Sequence, residues 1–170
     1  LFLVALMALG RTPRGILTAT LLFTLGHAAS LALVAGGHVS IAPRLAELGI
    51  ALTLIVTARA IAMEVAARGE GRPTSRNVAS TAVVFGCIHG LGFAGTLEEI
   101  GLQAGGTILR IAAFNAGVEG GQLAFTAGLF ALSWPLRQSA GFRDQTWPRI
   151  ASLMVGTAGT FWCLQRIQIQ

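Results

Sequence analysis

The chain has 170 residues, of which 54% are hydrophobic and only 11% charged, and its mean hydropathy is +0.70. Soluble domains carry about 25% charged residues, so this composition excludes an ordinary water-facing surface and points to one integral membrane domain over residues 1–170. The formal charge of +5 is carried by arginine alone. These arginines sit in short loops between apolar runs, which reads as membrane orientation and not as a nucleic-acid surface.

Taken in order, Leu1–Leu9 is apolar but too short to cross a bilayer, and it reads as the end of a first helix that began upstream. Arg11-Thr12-Pro13-Arg14-Gly15 is a basic turn punctuated by Pro and Gly. Ile16–Ala35 is the second span, interrupted by His27 alone. Gly36-Gly37-His38 opens a short loop, and Pro43 suits the first turn of a third helix that runs to about Ala67. A polar loop from Arg68 to Arg76 follows. The fourth span covers Val78–Thr96, the fifth covers Ile108–Trp134 and is stopped by Pro135, and a shorter sixth covers Ile150–Leu164. The expected fold is therefore all-α, a polytopic membrane bundle of six transmembrane helices with the first truncated. Cys87 and Cys163 lie far apart in apolar runs, so neither a disulfide nor a thiolate metal site is expected.

The arginines alternate. Loops one, three and five hold Arg11 and Arg14, then Arg68, Arg72 and Arg76, then Arg137, Arg143 and Arg149. The other side has Arg44, Arg110 and Arg166. Cytoplasmic loops carry the excess of positive charge, so loops one, three and five face the cytoplasm. The Glu98-Glu99 connection then lies outside.

The stretch Phe85-Gly86-Cys87-Ile88-His89-Gly90-Leu91-Gly92-Phe93-Ala94 puts an imidazole inside a run with no charged residue from Asn77 to Leu97. An ionisable group in the hydrocarbon is costly and faces the bundle interior or a polar cavity. Gly86, Gly90 and Ala94 recur every four residues, which lets another helix approach closely. His27, His89 and Glu119 fall near the middle of the second, fourth and fifth spans. Asn115 and Gln122, four residues before and three after Glu119, share its helical face. Gly117, Gly120, Gly121, Ala124 and Gly128 give that helix further close-approach surfaces. Glu47 lies nearer the outer end of the third helix, as a mouth to the site. Two imidazoles, a carboxylate and two amides suit a borderline divalent metal. A few ligands drawn from several helices also suit a transport site, which must release its ion.

Three motifs carry a resemblance. Phe23-Thr24-Leu25-Gly26-His27, with Ser30-Leu31-Ala32-Leu33, resembles the FTxxHSxTLxLA motif of the HupE/UreJ hydrogenase and urease accessory membrane proteins. The Phe85–Ala94 stretch resembles that family's FGxxHGLGFA. Phe114-Asn115-Ala116-Gly117-Val118-Glu119-Gly120-Gly121-Gln122-Leu123 resembles its FNxGVExGQ, and Ala46–Leu52, with Glu47, is similar to its VExxIALS. The resemblance implies a multi-pass protein of the bacterial inner membrane, a permease for nickel or cobalt. It makes His27, Glu47, His89, Asn115, Glu119 and Gln122 candidate ion-path residues. Family members carry an HxxxGxDH stretch entering the first helix, and this chain starts just after that point.

The expected function is transport of a divalent metal, nickel foremost, with membrane lipid and the ion itself as partners. The alternative is a non-transporting helical subunit of a larger membrane complex, with other membrane subunits as partners. No GxSxG, HExxH or paired Asp motif names a reaction, so no enzyme is expected. There is no GxxxxGK[ST] sequence to hold ATP.

Overall fold

The computed structural model describes residues 1–9, 12–69, 78–93, 108–138 and 142–168. Among them the secondary structure is all helical: α1 (Phe2–Leu9), α2 (Pro13–Ala35), α3 (Pro43–Gly69), α4 (Val78–Gly92), α5 (Ile108–Arg137) and α6 (Trp147–Gln168). A short π-helical turn, Phe142–Thr146, leads into α6. Ala94, Glu98, Glu99 and the Glu70–Asn77 stretch with Arg72 and Arg76 lie outside the described residues.

Local chemistry explains the helix starts. Thr12 sits in extended conformation ahead of α2, and its hydroxyl accepts from the Gly15 amide at 3.1 Å. Such an N-cap contributes about 1 kcal/mol. Pro13 and Pro43 begin α2 and α3, where the missing N–H would have no partner anyway. Gly37, at φ 72°, adopts the left-handed turn that closes α2. Pro135 does not stop α5, which runs on to Arg137. Proline forfeits one hydrogen bond and crowds the previous turn, and so close to the helix end the remaining residues carry on past it.

Two helix pairs approach backbone to backbone. In the first, Gly26 of α2 faces Val83 and Cys87 of α4, while Gly86 and Gly90 face Phe23, His27 and Ser30. A Cβ on Gly86 would press on the Phe23 carbonyl and come within 3.0 Å of the His27 amide nitrogen. These contacts climb together, Phe23 with Gly86 and Ser30 with Gly90, so α2 and α4 run parallel. In the second pair, Ala151, Val155 and Gly159 of α6 recur every four residues and are buried against α3. A Cβ on Gly159 would meet the Leu54 Cβ at 2.9 Å. Ser152 also donates across to the Ala58 carbonyl at 2.8 Å. Helix α1 packs between the pairs, burying Phe2, Ala5 and Leu6 in a core with Phe23, Leu54, Ile61 and Phe85.

Helix α5 is the outlier. It rests on α2, and nothing lies within 4 Å of a Cβ placed on Gly117, Gly120, Gly121 or Gly128. The expected close-approach surface is thus open among the described residues, because α5 turns its Asn115–Gln122 side toward α2. Two helical stretches, Arg14–Ala35 and Pro43–Ala67, are long and apolar enough to cross a membrane. Helix α4, also apolar, spans 15 residues.

Candidate functional site

The parallel α2/α4 contact brings His27 and His89 into one aromatic cluster. His27 is 2% exposed. Its ring lies 6.3 Å from Phe23, nearly parallel at 19°, and 5.2 Å from Phe93, edge-on at 79°. His89 lies 5.1 Å from Phe23 and 5.6 Å from Phe2. Phe2 stacks on Phe23 at 4.5 Å. The glycines make this possible: side chains at Gly86 and Gly90 would push α4, and His89 with it, away from His27.

The two imidazoles differ in how they are held. His89 Nδ1 lies 2.8 Å from the Phe85 carbonyl oxygen. A carbonyl only accepts, so Nδ1 carries the hydrogen, and in the neutral ring Nε2 keeps the lone pair. A backbone acceptor of this kind orients metal-binding histidines and selects the ligating nitrogen. Among the described residues neither ring nitrogen of His27 has a hydrogen-bond partner, although both are buried. Leaving a buried polar group unsatisfied costs about 1–3 kcal/mol. Below His27, Ser30 spends its hydroxyl on the Gly26 and His27 carbonyls, each at 3.1 Å.

The other predicted residues fall elsewhere. Asn115 and Glu119 line an open groove between α5 and α2 with Thr18, Leu21, Leu22, Thr24, Leu25 and Ala28. Thr24 donates to Gln122 Oε1 at 3.2 Å. Thr24 and Ala28 lie about 60° and about 100° round α2 from His27. The groove therefore passes the level of His27 on the neighbouring face of the same helix. Among the described residues, no three His, Cys, Asp or Glu side chains stand close enough to hold one metal ion. His27 and His89 both pack on Phe23, and Glu119 lines the groove on the next face of α2.

Glu47 is set apart. It is exposed and accepts from Arg166 Nε at 3.0 Å. Arg44, one turn before it, donates to the Arg166 and Ile167 carbonyls at 2.8 and 3.1 Å. Together they tie the start of α3 to the last turn of α6, where carbonyls lack intrahelical donors. Solvent screens such an exposed pair, so Glu47→Gln is expected to cost less than about 1 kcal/mol. Thermal melts of the purified variant check this, and a large drop in Tm would give Glu47 a heavier structural role.

The comparisons with known proteins bear on what this arrangement is for. The family model described as HupE / UreJ protein matches residues 1–166. The chain belongs to the HupE/UreJ family. No curated protein and no solved structure matches it. HupE/UreJ is a membrane family linked to nickel and cobalt handling. The match takes in both histidines, the α5 stretch and all but the last two residues of α6.

The sequence left the aromatic surroundings unread. Phe23, Phe85, Phe93 and Phe114 look like packing residues, and only the spacing of the first three, Phe23 four residues before His27 and Phe85 and Phe93 four either side of His89, signals that they frame the imidazoles.

Proposed function

We propose that this HupE/UreJ protein is a multi-pass protein of the bacterial inner membrane that passes a divalent metal ion, nickel foremost and cobalt next, through its helical bundle. The carrying observation is His27, an imidazole enclosed in an apolar bundle with neither nitrogen bonded to any described residue. A group that costs free energy at rest is retained where a ligand offsets the cost. His89 contributes its Nε2 lone pair from the facing helix. The ion is cargo, and a pair of imidazoles holds it weakly enough to release.

Asn115, Glu119 and Gln122 complete the ion's surroundings in this reading. Movement of α5 around α2, through the groove and the Thr24–Gln122 bond, would bring the carboxylate round to the imidazoles. Glu47 stands at the outer end of α3 as the entrance. Membrane residence is supported by the two long apolar helices and by large side chains open on the helix surfaces, among them Leu25, Leu109, Leu132, Leu153 and Phe161. Such a spread of exposed apolar area marks a membrane or interaction surface. The assigned role is transport, with no reaction.

The test is accumulation of radioactive nickel in cells that lack their own nickel uptake and produce this protein. His89→Ala is expected to bring accumulation down to the level of cells without the protein, with the amount in the membrane unchanged. Undiminished accumulation would remove His89 from the path.

A second reading, a non-transporting subunit of a larger membrane complex, is favoured by the open glycine face of α5. It predicts isolation with stoichiometric partner subunits and no metal by elemental analysis.

A further inference from the structure

We propose that Phe23 and Phe93 are two aromatic gates that close His27, the buried member of the imidazole pair, from opposite faces of the membrane. The inference rests on the transport reading above and adds to it how the ion's access is controlled. Its basis is the order of rings along two parallel helices.

Helices α2 and α4 both leave the arginine-rich side of the chain and run in the same direction. On α2, Phe23 lies one turn before His27, level with Gly86. On α4, Phe93 lies one turn after His89, beyond the level at which Gly90 meets His27. The rings therefore follow one another from the cytoplasmic side outward: Phe23, the two imidazoles, then Phe93. Phe23 touches both histidines, at 5.1 Å to His89 and 6.3 Å to His27. Phe93 covers His27 edge-on at 5.2 Å.

Each gate has a backing ring on another helix. Phe2 of α1 stacks against Phe23 at 4.5 Å. Phe114 of α5 meets Phe93 at 6.0 Å. With both gates shut His27 is 2% exposed and its nitrogens are buried. In this proposal an ion reaches them when one of the two rings turns aside. A phenyl ring is suited to this task. It excludes water when closed, and its face attracts a passing cation without offering a lone pair that would trap it. A carrier must also avoid opening both ways at once, and gates backed by different helices, α1 on one side and α5 on the other, can move separately.

The test places a thiol at the imidazole position, His27→Cys, in a protein whose own thiols are removed by Cys87→Ala and Cys163→Ala. A charged, membrane-impermeant methanethiosulfonate is applied to right-side-out and inside-out membrane vesicles. Labelling is expected to be slow from both faces. Phe93→Ala is expected to speed it about tenfold or more from the outer face only, and Phe23→Ala by a similar factor from the inner face only, a lowering of the access barrier by at least one decade of rate. Phe23→Leu and Phe93→Leu, which keep most of the apolar volume, serve where an alanine variant does not assemble, with the same sidedness and smaller factors. The proposal is overturned if neither position alters the rate, or if both alter it from the same face. No metal enters the assay, so its outcome is separate from nickel uptake by the unmodified protein.

Discussion

His27→Leu is expected to make the protein more resistant to heat and, at the same time, unable to accumulate nickel. The two effects have one cause. His27 buries two polar nitrogens that no group among the described residues satisfies, and a buried unsatisfied group costs about 1–3 kcal/mol. Leucine has a similar reach, carries no polar atom and fits between Phe23 and Phe93. The stabilisation should therefore be about 1 kcal/mol or more, read as a higher Tm in detergent. Had His27 been a hydrogen-bonded link between helices, leucine would lower the Tm. His89 is the internal comparison, since its Nδ1 bond to Phe85 makes the ring partly structural. Thermal melts and nickel uptake on the same variant separate a ligand from a link, and a destabilised His27→Leu protein would contradict the account.

The second large effect belongs to Gly86. Its neighbours are backbone atoms, the Phe23 carbonyl and the His27 amide, and backbone inside two paired helices cannot yield as a flexible side chain does. Gly86→Val forces α2 and α4 apart along the whole contact. Overpacking typically costs 1–3 kcal/mol, and the backbone origin of this clash places Gly86→Val near the upper end, about 3 kcal/mol. The variant is expected to lose its folded peak in size-exclusion chromatography or to melt far below the parent. Gly120→Val is the matched control, because among the described residues nothing lies within 4 Å of a Cβ at that position. Equal losses from the two substitutions would mean that close approach at Gly86 is not what holds the pair together.

Much of the all-helical fold is legible in the sequence because long apolar runs announce helices, two of them long and apolar enough to cross a membrane. The starts at Pro13 and Pro43 and the small residues at Gly86 and Gly90 follow from local chemistry. Spacing alone cannot say which small-residue stripe meets a neighbour. Gly86 and Gly90 touch α2, while Gly117 and Gly121 look equivalent in sequence and touch nothing among the described residues. Their difference depends on which way α5 turns about its own axis, a tertiary property. The same holds for the polar groups. Depth along the spans places His27, His89 and Glu119 at one level, and the structure sets both histidines against Phe23. It sets Glu119 on the neighbouring face of α2, since depth fixes height and not azimuth. Glu47 pairs with Arg166 from the far end of the chain, a contact no local pattern encodes.

The central claim is that one ion is held between the imidazoles of α2 and α4. X-ray absorption at the nickel edge of the purified, nickel-loaded protein tests it most directly. Scattering from imidazole rings is expected in the unmodified protein, reduced by His27→Leu, reduced likewise by His89→Ala, and absent when both are replaced. Nickel bound with the same spectrum in all four proteins would contradict the claim.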